Sequence, residues 1–262
     1  MKIAISGKGG VGKTLLASLL SKLFSESGYS VIAVDADPDA NLAAALGFPD
    51  PEKIVPISEM SDLIQERTGA KPGQSAPYYK LNPKVDDIPE KYARKLGGIK
   101  LMRMGRIKKG GTGCYCPENS MLQSLMSHLL IARNEVVIMD MEAGLEHFGR
   151  GTASVVDKLI VVVEPGRRSL ETAVNIRKLA GEIGLTNITV VGNKVRNESD
   201  REFLIENLSD FHFLGFIPYD QAVVEADQAS VFPLDSSPRV RAAVEEIFRD
   251  LTAGAGKTEV AS

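Results

Sequence analysis

The 262-residue sequence predicts an α/β fold, a mostly parallel central sheet with helices on both faces. Three observations carry that expectation. Runs of five or six apolar residues recur along the chain and end in a polar or acidic residue. Stretches with the apolar density of packed helices separate them. A glycine-rich turn joins the first run to the first helix, where a strand-to-helix connection of a parallel sheet must turn sharply.

Taken in order, Lys2-Ile3-Ala4-Ile5-Ser6 reads as a short buried strand and Leu15 to Phe24 as a packed helix. Between them lies Gly7-Lys8-Gly9-Gly10-Val11-Gly12-Lys13-Thr14, which fits G-x-x-x-x-G-K-[ST] with a strand before it and a helix after it. This is a P-loop, and it makes the predicted fold that of a P-loop NTPase. Glycines let successive N–H groups of Gly9, Gly10, Val11 and Gly12 face a phosphate chain, and the helix N-terminus adds its partial positive charge. Lys13 would reach the β- and γ-phosphates of ATP, and the Thr14 hydroxyl would ligate Mg²⁺.

The next strand, Ser30 to Asp35, runs into Asp35-Ala36-Asp37-Pro38-Asp39. Alternate carboxylates on a strand point the same way, so Asp35 and Asp37 can both address the metal–phosphate region. Glu135 to Asp140 repeats the apolar-then-acid design and puts Asp140 at the Walker B position, where a carboxylate binds Mg²⁺ or its water shell. Met141 to Gly151 then reads as a switch loop, with Gly144 letting backbone approach the γ-phosphate. Buried strands are expected at Leu159–Glu164, Asn187–Gly192 and Phe213–Pro218. Helices are expected at Ser169–Ile183, Ser199–Asn207, Asp220–Ala229 and Pro238–Leu251. His128 and His212 have no partners at metal-motif spacing and read as structural; His147 reads as part of a solvated switch loop.

Residues 1–252 form one ATPase domain on this reading, with 253–262 a flexible tail. From about 49 to 113 the rhythm breaks into a Pro/Gly-rich insertion. Residues 70–113 hold eleven Lys or Arg against three acidic residues, a local charge of +8 in a chain whose total is −3. That asymmetry favours a docking face for an acidic partner protein. Nucleic acid ranks below it, because only Tyr78, Tyr79 and Tyr92 interleave the charges. The start Met1-Lys2-Ile3 leads straight into a strand, and no apolar run approaches the ~18–20 residues needed to span a bilayer, so the expectation is a cytoplasmic protein without a membrane anchor.

Cys114 and Cys116 are the two cysteines of the chain. One residue apart in a glycine-rich loop, they suit neither a structural disulfide nor a buried apolar role. A thiolate pair for Zn²⁺ or Ni²⁺ fits better, and two sulfurs leave such an ion half-ligated. A two-fold homodimer would supply four.

The string K-G-G-V-G-K-T resembles the deviant Walker A of the MinD/ParA/nitrogenase-iron-protein class. The resemblance implies that Lys8 crosses a dimer interface to the partner's nucleotide, joining Lys13 and Asp37 as catalytic residues. It implies that Asp37, before a proline in switch I, positions and deprotonates the attacking water. Asp35 would then sit in the Mg²⁺ shell. Gly192-Asn193-Lys194 resembles the element of that class whose asparagine reads adenine, and Ile217-Pro218-Tyr219-Asp220 the segment that wraps the base. Pro218 and Asp220 are therefore ATP-binding candidates. An aspartate of the N-K-x-D type is missing after Lys194, which points to ATP rather than GTP.

With the C-x-C loop before the Walker B strand and D-M-E-A-G-L-E-H after it, residues 1 to about 251 resemble the CooC-type ATPases. That family inserts nickel into carbon monoxide dehydrogenase. The implied activity is an ATP-hydrolysing, metal-sharing homodimer that delivers nickel to this client. The alternative is a ParA/MinD-like positioning or partitioning switch, which leaves Cys114 and Cys116 without a task.

Overall fold

A computed structural model describes residues 1–72, 78–105, 116–145, 148, 154–229 and 232–253. Cys114, Glu146 and His147 lie outside these residues, as do 106–113 of the basic stretch and 254–262 of the tail.

The strands are β1 (Lys2–Gly7), β2 (Val31–Ala36), β3 (Arg94–Leu96), β4 (Ile99–Arg103), β5 (Val136–Met141), β6 (Lys158–Val163), β7 (Ile188–Val195) and β8 (His212–Pro218). They form one sheet in the order β3-β4-β2-β5-β1-β6-β7-β8. Every pairing is parallel except that of the short edge strand β3 with β4. Every residue of β1, β2 and β5 is buried, the signature of central strands covered on both faces.

The helices are α1 (Lys13–Glu26), α2 (Leu42–Ala45), α3 (Ser61–Thr68), α4 (Ile88–Tyr92), α5 (Pro117–Ile131), α6 (Arg167–Glu182), α7 (Glu198–Asn207), α8 (Gln221–Gln228), α9 (Pro233–Ser236) and α10 (Pro238–Ala253). One face of the sheet is packed by α3, α5, α6 and α7, through Leu63, Met121, Leu125, Ile176 and Leu204. The opposite face is packed by α1, α2 and α10, through Leu16, Leu20, Phe24, Leu42 and Val244. Helix α10 has the strong amphipathic pattern of a surface-seeking helix, yet its apolar stripe Val240, Val244, Ile247 and Leu251 is buried. Its Phe248 meets Phe24 of α1 edge-on at 4.8 Å between ring centres. Among the described residues no helix is long and apolar enough to cross a membrane.

The stretch read as a surface insertion is more integral than its composition suggests. Ile99–Arg103 joins the sheet as β4, parallel to β2, and buries Ile99, Leu101 and Met102. Part of its charge is paired: Lys84, Lys91, Lys95 and Lys100 meet carboxylates. Asp87 pairs with both Arg67 and Lys91 at 2.8 Å, and Glu90 takes Lys100 at 2.6 Å, Arg133 at 2.8 Å and Lys95 at 3.4 Å. These cations hold both carboxyls below the usual carboxylate range, Asp87 chiefly through Arg67 and Glu90 chiefly through Lys100.

Candidate nucleotide site

Strands β2, β5 and β1 lie side by side, so their carboxyl ends deliver three loops to one place. The P-loop runs from Gly7 at the end of β1 to Gly12, which precedes α1 in the left-handed region at φ 98°. Helix α1 has no side-chain N-cap, leaving its first N–H groups for a ligand. A Cβ on Gly12 would run into the Asn193 amide. That amide donates from Nδ2 to Val11 O at 2.7 Å, and its Oδ1 accepts the Lys194 N–H at 2.8 Å. Asn193 is buried, and it fastens the loop to β7. Gly12→Ala is therefore expected to weaken ATP binding by roughly tenfold or more, from backbone strain plus the displaced amide, as titration calorimetry would measure.

Asp35 and Asp140 are register partners at the ends of β2 and β5. Thr14 Oγ1 donates to Asp140 Oδ2 at 2.6 Å, and Asp35 Oδ2 accepts the Leu42 N–H at 3.1 Å. Both Oδ1 atoms are buried and accept no hydrogen bond from the protein. Burial first, and then the repulsion between them, raises the Asp35 carboxyl to about 7. Burial likewise raises Asp140 to about 6, although Thr14 and Lys13 act against it. Two buried carboxylates, each with an oxygen to spare beside a hydroxyl, form a hard-oxygen donor set that suits Mg²⁺.

Both P-loop lysines are met by carboxylates of their own chain. Lys13 Nζ, buried, lies 3.5 Å from Asp37 Oδ2, whose other oxygen accepts the Asp39 N–H at 3.0 Å. Lys8 Nζ lies 3.7 Å from Glu164 Oε1, at the end of β6. Glu164 Oε2 takes Lys194 Nζ at 3.0 Å, and Lys194 also donates to Gly10 O at 2.7 Å. Ser6 Oγ donates to Glu142 O at 2.6 Å, which ties β1 to the start of the second switch.

The structure thus brings Lys8, Gly9 to Thr14, Asp35, Asp37, Asp140 and Asn193 together. Pro218 ends β8, and the Asp220 carboxylate is engaged by Ser237 Oγ at 2.6 Å and Ala222 N at 3.0 Å, so it caps α8. Cys116 immediately precedes α5. Among the described residues no group of three or more His, Cys, Asp or Glu is placed to hold a metal ion. Sequence reasoning missed Ser6, Glu164 and Lys194. The signal available for Glu164 was an acid closing an apolar strand, the same sign that marked Asp35 and Asp140.

The profile of the CobQ/CobB/MinD/ParA nucleotide binding domain, CbiA, matches residues 2–234. The chain belongs to this family. Members of the family that resemble it over nearly their whole length include an uncharacterized ATP-binding protein of Methanocaldococcus jannaschii. That relative is 48% identical over 95% of this chain and 96% of its own. The carbon monoxide dehydrogenase accessory protein CooC of Rhodospirillum rubrum is 44% identical over 99% of each. The MinD cell division protein of Aquifex aeolicus superposes with a TM-score of 0.68 over 97% of both chains at 20% identity, a likeness of fold. Family membership makes the chain a nucleotide-binding ATPase, with ATP and Mg²⁺ as its ligands.

Proposed function

We propose that the chain is a cytoplasmic, ATP-driven homodimeric metallochaperone that delivers nickel to carbon monoxide dehydrogenase. The observation that carries this reading is how the chain is anchored ahead of the cysteines. In sequence Cys114 and Cys116 fall between β4 and α5, and Met104, just past β4, is fastened to the metal-facing strand: its N–H donates to Asp35 O at 2.8 Å. A change at Asp35 therefore reaches Met104, ten residues before Cys114, through one backbone bond. The full-length similarity to CooC supports the choice of client.

In this mechanism the N–H groups of Gly9 to Gly12 and the Lys13 ammonium hold the phosphates, while Thr14, Asp35 and Asp140 hold Mg²⁺. Asn193 and the turn from Pro218 to Asp220 flank the base. Bound Mg²⁺ supplies neutralisation of the charge that develops on the phosphate oxygens. Asp37 orients the attacking water and accepts its proton. It is ready only after Lys13 leaves it for the phosphates, so nucleotide binding and release of the base are one event. Lys8 of each subunit crosses to the phosphates of the other, and four thiolates from Cys114 and Cys116 of two chains gather the ion, which is cargo. Hydrolysis relaxes the switches and lets the dimer part.

Equilibrium dialysis with Ni²⁺, with and without ATP, tests the reading. About one ion per two chains is expected, and Cys114→Ser/Cys116→Ser should abolish it. Undiminished binding by the double variant would overturn the thiolate site. Salt-sensitive binding to DNA with no thiolate-dependent metal would favour the ParA-like switch instead.

A further inference from the structure

We infer that Glu164 is a positioning residue that holds Lys8 on its own subunit, so that ATP-driven pairing of two chains must first break the Lys8–Glu164 contact. The inference rests on the proposed crossing of Lys8 and concerns how that crossing is held in check.

The two oxygens of Glu164 serve different cations at different distances. Oε2 grips Lys194 at 3.0 Å, whereas Oε1 meets Lys8 at 3.7 Å. Glu164 is itself held in place, since its N–H donates to Ser169 Oγ at 3.1 Å at the start of α6. Lys194 is fixed as well. It takes a left-handed backbone at φ 58°, uncommon for a side-chain-bearing residue, and its ammonium also bonds Gly10 O. Lys8 has the looser hold of the two cations, at 3.7 Å from Glu164 against 3.0 Å for Lys194.

This arrangement makes the contact easy to break. A carboxylate left alone in a partly buried site would cost free energy when its cation departs. Glu164 keeps Lys194, so Lys8 can leave without stranding a charge. Phosphate oxygens of a nucleotide bound to the partner can then compete for the Lys8 ammonium as stronger acceptors. Lys194 stays behind and keeps the loop attached to β7 throughout.

The test compares the wild-type chain with Glu164→Gln, measuring the protein concentration at which ATP drives dimerisation by analytical ultracentrifugation. Each half-exposed pair contributes roughly a factor of two, and a dimer breaks two of them, so the midpoint should fall about fourfold. ATP binding at concentrations too low for dimerisation should stay unchanged, because Glu164 meets no phosphate of its own subunit. The double variant Lys8→Ala/Glu164→Gln should dimerise no better than Lys8→Ala alone, which separates release of Lys8 from a general loosening of the loop.

A Glu164→Gln midpoint equal to or above that of the wild type, with ATP binding by the single chain intact, overturns the inference. A gain that survives in the double variant overturns it too. If Lys8→Ala alone dimerises like the wild type, the crossing itself fails, an outcome distinct from failure of the Glu164 contact. Should Glu164→Gln also lose monomer affinity, Glu164→Asp provides the second measurement. Its shorter reach keeps a charge near Lys194 and withdraws it from Lys8, and the same fall in midpoint is expected. An unchanged midpoint there overturns the inference.

Discussion

Lys8→Ala is expected to abolish ATP-driven dimerisation and to cut turnover by about 10²–10³-fold, with ATP affinity of the single chain changed by less than about threefold. The scale follows from cations supplied in trans to phosphoryl transfer, where an arginine contributes about 10³–10⁵ in rate. Lysine lacks the planar fork of arginine and should fall below that range. The selectivity of the loss is the informative part. Lys13 lies buried against the phosphate cradle, but Lys8 is half-exposed and turned to Glu164, so its removal leaves the cradle intact. Steady-state turnover together with equilibrium nucleotide binding decides the matter, and unchanged turnover would remove Lys8 from the reaction.

The second large effect concerns Asp35. Its carboxyl is raised from 3.8 to about 7, so the folded chain holds this proton where the unfolded chain has released it. That contribution is fully present below about pH 4 and is lost as the pH rises through about 7. Three units at about 1.4 kcal/mol each set an upper limit of about 4 kcal/mol, reduced by the coupling to Asp140. The groups acting on Asp35 are Asp140 on β5, the Leu42 and Asp37 N–H groups and Arg103 on β4; Arg103 and the two N–H groups favour the ionised form. Asp35→Asn should therefore raise the melting temperature of the nucleotide-free protein at pH 8 by about 5–10 °C, with the difference vanishing near pH 4. The same variant should lose Mg²⁺-dependent turnover. Calorimetry across pH and a turnover assay measure the two effects, and a variant less stable than wild type at pH 8 would contradict the account.

Much of the fold was legible because its central strands are apolar on both faces. Val31 to Asp35, Val136 to Asp140 and Leu159 to Val163 need no tertiary information to be read as buried strands, and the structure places β2, β5 and β6 there. β4 escaped for the opposite reason. Ile99-Lys100-Leu101-Met102-Arg103 carries two cations in five residues, beside Gly97-Gly98, and it becomes a strand by pairing with β2 and burying Ile99, Leu101 and Met102, while Lys100 finds Glu90 and Glu135. Helix α5 was missed as well, since its buried face includes polar Glu118 and Ser120 beside the apolar positions. Within the site, the P-loop, Asp35 and Asp140 announce themselves by local pattern. Glu164 carries the same sign, but nothing local tells that it and Lys194 meet partners far away in sequence, at Lys8 and Gly10.

One consequence follows from the carboxylates that face Lys8, Lys13 and Lys194. A glycine-rich loop bristling with bare ammonium groups would act as a small ion exchanger, collecting sulfate, polyphosphate or stretches of RNA from the cell. This loop carries its own counter-ions in Asp37 and Glu164. An anion entering it must draw Lys13 away from Asp37, and only one that also satisfies the backbone cradle and brings Mg²⁺ to Asp35 and Asp140 recovers the loss. Selectivity for a metal–nucleoside triphosphate over the crowd of simpler polyanions is thus set before any base is read.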